Sequence, residues 1–171
     1  ALEISSDAVE TRKGTFDGPK VFLILMADYT SKKVLKQSDW SKALDTCFLS
    51  YDQRFLRRKD LKTVTGASLL VDLAHATSLY HGDAFVIADG QVIEVVSAPE
   101  PLLQVSGNLV RLAWHIGNRH TPCQIEDKRL FIQNDAVIRH MLEQLGAIVT
   151  HVHAPFNPEG GAYGHGRTNA H

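Results

Sequence analysis

The side chains best suited to chemistry in this chain are its histidines. There are nine, and His115, His120, His151, His153, His165 and His171 gather toward the C-terminal end. Neutral imidazole is the commonest protein ligand for zinc, copper and nickel, so the grouping points to a transition metal held by nitrogen donors. Spacing then separates the candidates. His115 and His120 stand five apart, which is about 140° around a continuous helix, so one helix cannot aim both at one ion. Gly117-Asn118 lies between them and predicts a helix stop, leaving His120 on the loop that follows. A single exposed imidazole binds metal weakly. Two related by a two-fold axis make a bidentate site, because a symmetric interface sets a residue beside its own copy. A ligand role for His120 therefore predicts a homodimer. The competing reading is a histidine that only hydrogen-bonds backbone at a helix end.

His151 and His153 are two apart, which on a strand directs both to one face. Such a pair can chelate, or it can be solvated on the sheet face that helices leave open. His165 and His171 follow a run with Gly160, Gly161, Gly164 and Gly166, read as a flexible tail able to swing over a primary site. A plain disordered terminus is the alternative. Cys123, three residues past His120, offers a soft sulfur, although Pro122 and a strand position predict a packed thiol. His75, His81 and His140 read as ordinary surface positions. No glycine-rich phosphate loop, nucleophile elbow or H-E-x-x-H motif occurs, so a non-enzymatic role is expected.

Elements able to position these residues follow from composition and pattern. The chain has 171 residues, 44% hydrophobic and 22% charged, as expected of folded domains. Eighteen basic and nineteen acidic side chains leave a net charge of -1, so overall charge draws neither nucleic acid nor an anionic membrane. The basic run Arg54 to Lys62 reads as a solvated strand face, with a peptide contact as its alternative. Two cysteines, Cys47 and Cys123, make no disulfide framework and suit a reducing cytoplasm. The apolar run Val21 to Ala27 is far shorter than the roughly 20 residues that cross a bilayer. Residues 1–27 read as an N-terminal extension rather than a leader.

Residues 28–98 carry short β patterns punctuated by turns, including a hairpin from Phe85 to Val96 whose two-residue turn is Asp89-Gly90. Leu69 to Leu73 reads as a buried strand. Pro99-Glu100-Pro101 marks a boundary, because proline resists continuing a helix or a central strand. Beyond it, Leu102 to Val105 is a strand and Leu109, Leu112, Ala113 and Ile116 form a helical stripe. Two short strands follow, and Asp135 caps a second helix with Val137, Ile138, Met141, Leu142 and Leu145 as its apolar face. A last strand ends at His153. The fold class expected is α+β: a small all-β domain, a ferredoxin-like βαββαβ domain over residues 99–153, and a flexible tail over 154–171.

At HIGNRHTPCQIE (residues 115–126) and APFNPEGGAYGHGR (residues 154–167) the sequence resembles the UreE family of urease accessory proteins. The similarity begins near residue 28 and also covers SYDQRFLRRKDLK and HGDAFVIADGQVIEV. This resemblance implies a cytoplasmic nickel metallochaperone with a β domain for partner contact and a ferredoxin-like domain that dimerises and binds Ni2+. It assigns the histidine of GNRH, here His120, as the interfacial ligand from each subunit, with His165 and His171 added from the tail. His115, His151 and His153 are the remaining candidates. The implied partners are the urease accessory GTPase and, through it, the urease apoprotein with its accessory proteins. Some members carry a further histidine pair where this chain has Asn134 and Ala136, so that accessory site is expected to be absent. A buffer for Zn2+ or Cu2+, without delivery, is the alternative function.

Overall fold

The computed structural model describes residues 27–160. All but the last residue of the N-terminal extension, together with His165 and His171, lie outside the described residues. The first domain is all β. Strands β1 (Tyr29–Ser31), β4 (Phe55–Lys62) and β5 (Ser68–Ser78) form one sheet in the order β1-β5-β4. Strands β2 (Lys33–Leu35), β3 (Asp45–Leu49), β6 (Ala84–Val86) and β7 (Val92–Ser97) form another in the order β2-β6-β7-β3. Alternation along β5 sends Leu69, Val71 and Leu73 inward, where they meet Cys47, Leu49, Phe85, Ile93 and Val95. Burying each of the larger apolar side chains contributes roughly 1.5–3 kcal/mol. The hairpin between β6 and β7 has the expected left-handed residues, Asp89 at φ 63° and Gly90 at φ 75°. Its loop is longer than the two residues expected: Ile87 N–H bonds the Gln91 carbonyl at 2.9 Å across Ala88, Asp89 and Gly90.

The basic run of β4 faces acid. Arg58 stands opposite Asp72 and Lys62 opposite Ser68, and Ser68 is hydrogen-bonded to Asp28 through backbone and hydroxyl. Asp60 shares the same side of the strand, since cross-strand and alternate residues share a face. The result is a mixed, solvated surface rather than a positive one.

The second domain comprises β8 (Pro99–Ser106), α1 (Leu109–Asn118), β9 (Gln124–Glu126), β10 (Arg129–Gln133), α2 (Ala136–Gln144) and β11 (Ile148–Pro155). This is the βαββαβ order. The sheet runs β11-β8-β10-β9 with every neighbour antiparallel, the ferredoxin-like split arrangement. Both helices start on the expected kind of cap. The Asn108 side chain accepts from Arg111 N–H, and Asp135 accepts from Val137 and Ile138 N–H, satisfying donors a helix start otherwise leaves unpaired. Leu112, Ile116, Ile138 and Leu142 pack on Leu103, Val105, Leu130 and Ile132.

Three expectations need correction. Val137 does not belong to the apolar face of α2, being 70% exposed; at 100° per residue it falls about 100° from Ile138, outside the stripe of Ile138, Met141, Leu142 and Leu145 that packs on the sheet. The strand read from Leu102 begins at Pro99, because residues 99–101 pair only with β11 while β10 joins from Leu102 onward. With one edge open there, the missing N–H groups cost no ladder bond. Packed structure does not stop at His153 either. β11 reaches Pro155, and Phe156 is fully buried against Leu102 and Phe131, with Tyr51 of the first domain packed on the same cluster. A single residue, Ala98, separates β7 from β8, and its N–H bonds the Leu49 carbonyl at 2.9 Å.

Candidate metal centre

The end of α1 is a closed hydrogen-bonded cap with His120 at its key position. His120 N–H bonds the Gly117 carbonyl at 2.9 Å and Thr121 N–H bonds the Ile116 carbonyl at 3.3 Å. That pair of bonds is the Schellman pattern, which requires a left-handed residue just past the helix. His120 supplies it, with φ 54°. Helix α2 ends the same way, with Gly146 N–H on Glu143 and Ala147 N–H on Leu142, and there the left-handed residue is glycine at φ 83°. A Cβ in this region costs roughly 1–2 kcal/mol. The loop placement expected for His120 holds, but the stop is His120 itself. Gly117 and Asn118 remain inside the helix.

The other candidates are scattered around this point. His115 is half-buried on α1 and meets the Trp114 ring edge-on, 5.0 Å between centroids. His151 and His153 share a face of β11, but not the open one. Val149, in the same alternation, packs into the helix-covered core, and His151 Nε2 lies 3.0 Å from Arg139 Nη1 of α2. That arginine also pairs with Glu143 at 2.8 Å. A guanidinium against Nε2 occupies one of the two ring nitrogens through which a cation could bind. The open face instead takes Val152 and Ala154, which pack around Phe156. Cys123 is half-buried against the helix core, and burial, then the Glu159 charge, pushes its thiol up to about 11. The packed-thiol reading fits that environment. Among the described residues no three His, Cys, Asp or Glu side chains cluster as a metal site.

A further ordered segment was hidden by its composition. Residues 156–159, proline- and glycine-flanked, are pinned by Glu159 N–H on the Cys123 carbonyl at 2.9 Å and Asn157 N–H on Gln124 Oε1 at 2.7 Å. The one legible signal was Phe156, a large apolar residue alone in a polar stretch.

Sequence comparisons decide the family. The UreE urease accessory protein N-terminal domain matches residues 31–98, and its C-terminal domain matches residues 91–171. The chain belongs to the UreE family. Among its relatives, the urease accessory protein UreE of Ruegeria pomeroyi is 60% identical over 141 residues, covering 82% of this chain and 95% of that protein. UreE of Ruegeria sp. strain TM1040 is 62% identical over 126 residues, covering 73% and 72%. UreE of Cereibacter sphaeroides is 53% identical over 142 residues, covering 82% and 78%. The UreE C-terminal match takes in the whole ferredoxin-like domain, the pinned segment 156–159, and the stretch that holds His165 and His171.

Proposed function

We propose that this chain is a non-catalytic, homodimeric carrier that delivers nickel during urease maturation, with His120 of each protomer as the shared ligand. The observation that carries the reading is the position of His120, held by a backbone cap at the tip of α1 rather than by a mobile loop. Beside it, Val110 is 85% and Trp114 64% exposed, and with Gly117 they fall at i, i+4 and i+7, one face of the helix. Gly117 sits in ordinary helical conformation, and a Cβ there would meet nothing within 4 Å. A helical glycine costs about 1 kcal/mol against alanine, and nothing among the described residues of one protomer calls for it. Close approach of a second copy does, and such a copy brings its own His120 alongside.

Tail histidines complete the shell. Glu159 docks beside Cys123, three residues from His120. His165 and His171, farther along the same chain, are the proposed additional ligands. His115, His151 and His153 are left as minor contributors, His151 the weakest because of Arg139. Few ligands and an incomplete shell favour release to the next protein, here the urease accessory GTPase and through it the urease apoprotein with its accessory proteins. No helix among the described residues is long and apolar enough to cross a membrane; a cytoplasmic site of action accords with that and with the thiol usage.

The direct test is titration of nickel into wild type and His120→Ala with solution mass measured in parallel. Full stoichiometry and affinity retained by His120→Ala would remove the reading. Trp114→Glu tests the dimer: a charge on the contact face is expected to halve the solution mass at micromolar concentration and to weaken nickel by at least about tenfold, since each 1.4 kcal/mol of lost binding is tenfold. Protons compete with metal for imidazole nitrogen, so nickel affinity is expected to fall on mild acidification, and binding unchanged by acid would count against histidine ligation. Competition between nickel and zinc, followed by transfer to the GTPase, separates delivery from simple Zn2+ or Cu2+ buffering.

A further inference from the structure

His120 lies on a loop that is pinned at both ends. Upstream, the α1 cap bonds His120 N–H to the Gly117 carbonyl and Thr121 N–H to the Ile116 carbonyl. Downstream stand Cys123 and Gln124, where β9 begins. That strand is three residues long and forms the edge of its sheet, with only β10 beside it. So few ladder bonds leave a strand end prone to fraying, and here a second set of bonds reinforces it. Glu159 N–H bonds the Cys123 carbonyl at 2.9 Å, and Asn157 N–H bonds Gln124 Oε1 at 2.7 Å. The Gln124 side chain is fixed at its other atom too, Nε2 donating to Glu126 Oε1 at 2.9 Å.

What holds Asn157 comes from the β domain. Its Oδ1 accepts from the Ser97 hydroxyl at 2.6 Å and from Arg54 Nη1 at 3.2 Å. Arg54 is only 2% exposed, and its Nη2 donates to the Phe156 carbonyl next door. Hydrogen bonds from a guanidinium are among the stronger ones. Asn157 therefore joins the first domain by its side chain to the start of β9 by its main chain. Between the two pinned ends of the His120 loop lie Thr121 and Pro122 alone. Proline fixes its own φ near −65° and confines the residue before it to extended backbone. A loop with so few free dihedrals carries a displacement at Cys123 back to His120 instead of absorbing it.

We infer that Asn157 is a positioning residue for His120: held by Arg54 and Ser97, it sets the downstream end of the loop and so the direction in which the imidazole leaves the surface. This rests on the ligand role of His120 proposed above. A metal accepts a nitrogen donor only within about 0.2 Å of the ideal distance, and two imidazoles that share one ion across a two-fold axis must both meet that tolerance. Asn157→Ala removes both side-chain bonds of the clamp. One net hydrogen bond corresponds to about twofold to tenfold in an equilibrium constant, and that is the loss of nickel affinity expected when the loop end is released.

The test compares the full-length wild type with Asn157→Ala and Asn157→Asp, each also in a His120→Ala background. Asn157 is an exposed residue, so its truncation opens no core cavity, and Asn157→Asp keeps Oδ1 for Arg54 and Ser97. Amide exchange without metal reads the clamp. Glu159 is expected to lose protection at least about tenfold in Asn157→Ala but not in Asn157→Asp, while the His120 amide of the α1 cap keeps its protection in both. Nickel titration reads the positioning: Asn157→Ala weakens binding about twofold to tenfold, Asn157→Asp restores it, and Asn157→Ala has no further effect once His120 is alanine. Unchanged Glu159 exchange in Asn157→Ala, unchanged nickel affinity with His120 present, or an equal loss of affinity in both backgrounds overturns the inference and leaves the proposed function standing. A wild type that takes up no nickel, or a His120→Ala variant that binds it fully, overturns the function and the inference together.

Discussion

His120→Gly is expected to abolish the shared nickel site while leaving the fold as stable as before, or more so. The two effects separate because His120 does two jobs with different atoms. Its imidazole is the proposed ligand; its backbone is the left-handed residue that closes the cap on Gly117 and Ile116. Glycine does the second job better, as Gly146 already does at the end of α2. Relief of roughly 1–2 kcal/mol of left-handed cost is set against about 0.5–1 kcal/mol for the extra freedom glycine loses on folding. The net expectation is between zero and about 1.5 kcal/mol of gain, a rise of up to about 5 °C in Tm for a chain of this size. Nickel affinity should fall by at least about 100-fold, since loss of a supporting contact alone costs 10–100-fold and here both ligands of the pair go. His120→Ala removes the same imidazole but retains a Cβ at positive φ, so it gains no stability. Calorimetric unfolding and nickel titration on the two variants check this together. A glycine variant that unfolds early would mean that the His120 side chain is a structural contact in its own right; one that keeps its nickel would remove the residue from the site.

The second large effect is expected at Phe156→Ala. This ring is fully buried between Leu102 and Phe131 on the open face of the second sheet and Tyr51 of the first domain. Truncating a buried phenylalanine costs about 3–5 kcal/mol, from lost transfer energy and the cavity left behind. Because the ring lies in the seam, the loss falls on the union of the domains rather than on either core. Thermal unfolding is therefore expected to split from one transition toward two, with the ferredoxin-like core clusters around Leu103 and Leu130 retained. A single transition shifted by less than about 1 kcal/mol would mean that the seam closes around the gap.

Much of this architecture was legible from the residues. The helical stripe from Leu109 to Ile116 and the Asp135 cap each state a period or a cap that local physics fixes, and they fold as read; Leu69 to Leu73 forms the expected strand, but buries only alternate residues. Legibility failed where a residue's meaning comes from a distant partner. Pro99 and Pro101 read as breakers because the sequence does not say that β10 stops short of them. Phe156 read as part of a loose tail because its neighbours are proline, asparagine and glycine; its pocket is made by Leu102, Phe131 and Tyr51, the last 105 positions earlier. Val137 lies at the margin of the helical stripe, about 100° from Ile138, and which side of that margin meets the sheet is set by the packing of the whole helix. At His120, Gly117-Asn118 looked like the stop, since glycine is the usual left-handed residue; a histidine in that role has no local signature. The shared-site reading itself depends on a second copy, which one sequence does not describe.

The connection at Ala98 has a mechanical consequence. With one residue between β7 and β8, and that residue bonded back to Leu49, the junction has almost no slack. β8 is also the strand that both β10 and β11 hold. A torque applied by anything gripping the first domain therefore passes along a continuous lever into the middle of the second sheet, instead of being absorbed in a slack joint as a long flexible linker would absorb it.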